Sequence, residues 1–169
     1  MYKQHLLQNI ERELILLKQL IPIIEERDLD FRPAEKMRNT YELMQYLSDI
    51  GSVIFRWMIK NDITPEERKK IADHRSTLTI QNFSERIDEQ WKTIQEYMND
   101  LTEEDLISKE VELPWKEKIS LGAAIINAPI KWLTTYRMEL FMHLKMNGRP
   151  NIGTKDAWVP QELKISANK

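Results

Sequence analysis

The chain has 169 residues, 41% of them hydrophobic and 31% charged, with a net charge of −2. That length has room for a real core, and the near-neutral balance supplies no global field to draw in nucleic acid or acidic lipid. Only four glycines argue against a turn-rich β protein, and zero cysteines exclude disulfides, thiolate metal sites and a cysteine nucleophile. Absence of cysteine also fits a reducing cytoplasm. The opening MYKQHLLQNIEREL mixes charges among its apolar residues and does not read as a signal peptide. No uncharged apolar run approaches the ~20 residues that span a bilayer.

The spacing predicts a first helix over Tyr2 to Arg27, with Leu6, Ile10, Leu14, Leu17, Ile21 and Ile24 on one side. Pro22 removes a backbone donor, so a kink or an early stop near Leu20 is expected. Asn39 or Thr40 can cap a second helix, Tyr41 to Lys60, buried along Leu43, Tyr46, Leu47, Ile50, Val53, Ile54 and Trp57. Gly51 in its middle calls for the close approach of a neighbouring helix. Thr64, Pro65 and Glu67 form a compact start signal for a short polar helix to about Asp73, which reads as a surface connector. A third long helix is predicted over Ile80 to Leu101, with Phe83, Ile87, Trp91, Ile94, Met98 and Leu101 inward. The charged link Thr102 to Ser120 reads as loop, since a strand at Glu110 to Leu113 has no evident partner.

Ser120 can cap the last long helix, Leu121 to Gly148. Its apolar stripe is Ala124, Ile125, Pro129, Trp132, Tyr136, Leu140 and His143, with a bend near Ile125 to Ile126 ahead of Pro129. Gly148 suits the C-cap. Trp158, in the polar tail, is expected to dock on a surface groove. Together these segments predict an all-α four-helix bundle with a short extra surface helix.

Chemistry is sparse. His5, His74 and His143 have no second histidine at ligand spacing, although Glu139 lies four residues before His143. No Glu-x-x-His pair, phosphate loop, dinucleotide turn, nucleophile elbow or HExxH motif occurs. Glu42 and Asp49 read as solvated or capping, and Lys69, Lys70 and Arg75 as a solvated face. Tyr46, Trp132 and Tyr136 fall on inner faces of the second and last long helices. They read either as aromatic core or as a polar-lined pocket using two phenolic hydroxyls.

Two stretches carry a resemblance to a known family. PAEKMRNTYELMQYLSDI, from Pro33, resembles the connector proline and E-L-L-x-H-L pattern of the DinB-like superfamily. YRMELFMHLKMNGRP, from Tyr136, is similar to that family's H-R-G-Q-L segment and closing Gly-x-x-Pro, and DAW at Asp156 to Trp158 looks like its final segment. The resemblance covers Met1 to Pro160 and implies one DinB-like (YfiT-related) domain over 1–160, with a loose tail at 161–169. It further implies a homodimer. Active relatives hold nickel or zinc on three histidines. Those positions fall on Tyr46, Trp132 and Tyr136, with Arg137, Glu139 and His143 as possible polar neighbours. No member of that triad is a histidine here, which argues for no metal, no other cofactor and no catalytic residue. The expected role is binding through a surface or a small inter-helix pocket, with a small-molecule ligand and neither nucleic acid nor membrane as partner. The alternative is a hydrolase or bacillithiol-type S-transferase with a remodelled site that uses Tyr46, Tyr136 and either His143 or Arg137.

Overall fold

A computed structural model describes residues 1–161, so nearly all of the expected loose tail lies outside the described residues. Helix α1 spans Tyr2–Leu20. It stops early rather than reaching Arg27: Ile21–Ile23 form a 3-10 turn holding Pro22, and Ile24 is already extended. The connector that follows is tied to the end of the bundle by Asp28, which is buried. Its carboxylate accepts from Asn147 Nδ2 at 2.9 Å and Arg149 Nη2 at 3.0 Å.

The expected second helix is two helices, α2 (Thr40–Leu47) and α3 (Ile50–Lys60). Asn39 caps α2, accepting from the Glu42 amide at 2.8 Å. The interruption at Ser48 and Asp49 has an identifiable cause. In an unbroken helix the Gly51 N–H would bond the Leu47 carbonyl. Here the Gln90 side chain stands between them: its Nε2 donates to Leu47 O at 3.0 Å and its Oε1 accepts from Gly51 N at 2.6 Å. A side chain inserted into the helical ladder is an established origin of such breaks.

Helix α4, Pro65–Ser76, is capped by Thr64 and buries none of its residues, as its sequence predicts. Helix α5, Ile80–Asn99, buries Phe83, Ile87, Ile94 and Met98. Trp91, expected inside, is half-buried, and Gln90 takes the inner place.

The link after α5 is not a loop. Thr102 caps α6, Glu103–Ser108, and a hairpin follows with β1 (Glu110–Glu112) antiparallel to β2 (Lys118–Ser120). The missing partner strand lies just beyond the turn, where Lys116 adopts a left-handed φ of 72°. That conformation usually announces itself with Gly or Asn, so the turn was invisible.

Ser120 caps α7, Leu121–Ile125. Ile126–Ile130 then wind as a π turn containing Pro129, and α8 runs Lys131–Met146. A π turn takes in an extra residue. The buried stripe therefore steps from Pro129 to Leu133, Arg137, Leu140 and Leu144, not through Trp132 and Tyr136. Gly148 follows with φ 93°. Short α9 is Thr154–Trp158.

Helix α1 packs on α5 and α8, α3 on α5, and α2 on α8. The result is an all-α four-helix bundle in which two of the four arms, α2–α3 and α7–α8, are interrupted, with α4 outside. Leu17, Leu47, Phe55, Phe83, Ile94 and Leu140 are among the fully buried side chains of its core. Among the described residues, no helix is long and apolar enough to cross a membrane.

Candidate functional site

Helix α2 delivers Tyr46 and α8 delivers Tyr136 to one place between the two arms. Their ring centroids lie 4.8 Å apart at 76°, an edge-to-face pair. That geometry suits the ring quadrupoles. Both rings are half-buried rather than sealed in the core. Trp132 is half-buried one turn earlier and packs against the core, but it enters no ring pair among the described residues. The expected cluster of three rings is thus a pair.

Two guanidinium groups lie over the pair, and neither was anticipated. Arg38, in the connector just before the Asn39 cap, sits 4.2 Å from the Tyr46 centroid and 5.4 Å from that of Tyr136. Arg75, at the end of α4, lies 5.2 Å from the Tyr46 ring. Cation–π attraction holds such groups on ring faces. Arg75 is not part of a solvated face. Its Nε donates to both Asp49 carboxylate oxygens, at 2.9 and 3.0 Å, and its Nη2 also bonds Oδ1. Asp49 is buried at the break between α2 and α3, where burial raises its pKa against the pull of Arg75. Arg75 and Gln45 also line a surface cleft of about 480 Å³, together with Val53 and Ile71.

The three polar neighbours expected at the site separate. Arg137 belongs elsewhere. It is fully buried, donates from Nε to Glu13 Oε2 at 2.8 Å and from Nη1 to the Ala157 carbonyl at 2.6 Å, and stacks on Trp158. Trp158 is thereby docked on the bundle, as expected, though 48% exposed. Glu139 and His143 stay together on α8, with Glu139 within reach of the Arg38 charge. His143 is not a helix-end cation: it is 1% exposed, and burial lowers its pKa. Its Nδ1 is 3.2 Å from the Thr40 hydroxyl, and its ring meets Phe31 edge-on. Its Nε2 has no hydrogen-bond partner among the described residues and lies 3.7 Å from Glu139 Oε1. Burial raises the Glu139 pKa, and the charge of Arg38 partly opposes this. The Tyr46 hydroxyl is pushed up to about 12, first by burial and then by the neighbouring Tyr136.

This donor set does not fit a divalent metal. An indole offers no free lone pair, and a phenol held protonated is a poor ligand. Two guanidinium charges beside the rings oppose a further cation. Among the described residues, no group of three or more His, Cys, Asp or Glu side chains could hold a metal ion.

The bundle has counterparts among solved structures. A protein from Exiguobacterium sibiricum 255-15, assigned to the DinB family, matches with a TM-score of 0.70 and 20% identity over 92% of this chain and 97% of that one. A DinB-like protein from Bacillus subtilis matches with a TM-score of 0.65 and 16% identity over 86% of this chain and 93% of that one. This chain has the DinB-like fold. No family model and no curated protein sequence matches it, and at these identities the likeness is one of fold. Within the DinB-like bundle, Tyr46, Trp132 and Tyr136 lie on the second and fourth arms.

Half-burial of the tyrosine pair sets the scale of one test. A fully buried ring would cost about 3–5 kcal/mol on truncation to alanine. Tyr136→Ala is expected to cost about 2 kcal/mol, from partial burial plus the lost ring pair. Urea denaturation measures it, and no change would mean that the pair is not formed in solution.

Proposed function

We propose that the chain is a DinB-family bundle, one domain over 1–160, that binds a small molecule and holds no catalytic metal. The observation that carries this reading is the Arg38 guanidinium laid over the faces of Tyr46 and Tyr136. A site built for a divalent cation would not place a fixed positive charge there. The aromatic pair and the guanidinium together bring apolar faces and one orienting charge to the same place, the kinds of group that fix a small ligand. A cytoplasmic homodimer belongs to the same reading. The motif resemblance supports the dimer, and Met142 and Met146, exposed on α8, supply apolar surface for it.

The enzymatic alternative, a remodelled hydrolase or thiol transferase, would draw on Tyr46, Tyr136 and His143. A tyrosine hydroxyl pushed up to about 12 is a weak nucleophile near neutrality. His143 is sealed from solvent, and Arg137 is committed to Glu13. These features favour binding over catalysis.

Elemental analysis of the purified protein tests the proposal. Nickel, zinc and iron are expected far below one equivalent, and adding them should leave Tm unchanged. A stoichiometric transition metal, removed by chelation with loss of stability, would overturn it.

A further inference from the structure

Arg38 is a half-buried cation whose guanidinium donates no hydrogen bond among the described residues. A guanidinium held against aromatic rings by cation–π attraction still carries its planar fork of N–H donors. The neighbouring carboxylates are engaged. Glu42 pairs with Arg32 at 3.0 Å, and Asp49 pairs with Arg75. Among the described residues Arg38 forms no ion pair. Glu139 is the remaining acid beside it, and its Oε1 stands 3.7 Å from the buried, unpartnered Nε2 of His143. The Tyr46 and Tyr136 rings flank this guanidinium, their centroids 4.2 and 5.4 Å from its Cζ.

We propose that Arg38, framed by Tyr46 and Tyr136, receives the carboxylate of a small organic acid. This rests on the ligand-binding reading above and adds the chemistry of the ligand. A guanidinium offers two parallel donors that match the two oxygens of a carboxylate. A cationic ligand would instead have to displace Arg38 from the rings. Glu139, when ionised, repels the incoming acid, so it sets a ceiling on affinity.

The full-length protein, isotopically labelled, is titrated with sodium propionate, with sodium chloride as the ionic-strength control. The side-chain Nε–Hε signal of Arg38 and the ring signals of Tyr46 and Tyr136 are followed. Saturable shifts are expected with propionate and not with chloride. Arg38→Gln should weaken binding at least about tenfold, the loss of one charge-assisted pair. Arg38→Lys should weaken it as well, because the fork is gone. Glu139→Gln should tighten it, and Arg68→Gln, on the α4 side, should leave it unchanged. If Arg38→Gln fails to fold, the lysine and Glu139 variants carry the test. Inorganic phosphate and tetramethylammonium are parallel probes. Saturation by tetramethylammonium but not propionate would keep the ligand site and overturn its acid specificity. Tighter saturation by phosphate would replace the carboxylate with a phosphate group. If none of the three moves the signals, both this inference and the ligand-binding reading fail.

Discussion

Arg137→Ala is expected to lower stability by about 3–5 kcal/mol, the range for removing one partner of a buried ion pair. At 2–4 °C per kcal/mol for a chain of this size, Tm should fall by roughly 10 °C. Arg137 is 0% exposed and Glu13 is nearly buried on the facing helix, 2.8 Å away. Alanine leaves that carboxylate without its counter-charge. It also releases the Ala157 carbonyl and the Trp158 ring, which Arg137 holds against the bundle. The size of the effect reflects the stranded charge rather than the net worth of the pair. Glu13→Leu combined with Arg137→Met should therefore recover much of the loss, because two apolar side chains of similar volume leave no charge unpaired, although the Ala157 carbonyl still loses its donor. Urea denaturation of the singles and the double closes the cycle. A single-mutant loss below about 1 kcal/mol would show that Arg137 is solvated and that the tail is not anchored through it.

Gly51→Leu is expected to cost about 3–5 kcal/mol, with overpacking and a lost polar bridge both contributing. A Cβ at this position would lie 2.6 Å from Gln90 Oε1 and 3.1 Å from Ile94 Cδ1. Gln90 could move aside, but it is 2% exposed and its amide satisfies two buried backbone groups across the break in the second arm. Displacing it leaves Leu47 O and Gly51 N without those bonds while leucine forces α3 away from α5. Gly51→Ala should cost less, since a methyl group asks for a smaller shift. Thermal unfolding of both variants orders them. Equal Tm values for wild type and Gly51→Leu would refute the close approach.

Where local signals were complete, the fold was readable from residues alone. Pro22 gives the early stop of α1, Thr64 and Pro65 start α4, and Asn39 and Ser120 cap the helices that follow them. Gly51 marks a real close approach. What escaped depends on partners distant in sequence. Nothing near Gln90 tells that its amide fills a gap 39 residues earlier, or that Arg137 is buried because Glu13 awaits it 124 residues away. The hairpin escaped because a lysine occupies its left-handed turn position. For the candidate site, spacing and the motif resemblance singled out Tyr46 and Tyr136, whose rings do meet. Arg38 and Arg75 were missed. Arg38 lies outside any helix and Arg75 on a polar one, so no periodicity points either of them at a ring.

The wide turn at Ile126–Ile130 behaves as a one-residue insertion absorbed into a continuous rod. Each amino acid advances an α-helix by about 100°. The same sequence wound without the bulge would rotate everything downstream by that angle and send Tyr136, in place of Arg137, to the bundle axis. A homologue one amino acid shorter in this stretch could wind as plain helix and keep the same side chains inward. Matching the last arm of this protein to other bundles therefore requires an offset of one beyond Ile130 wherever the partner lacks the bulge.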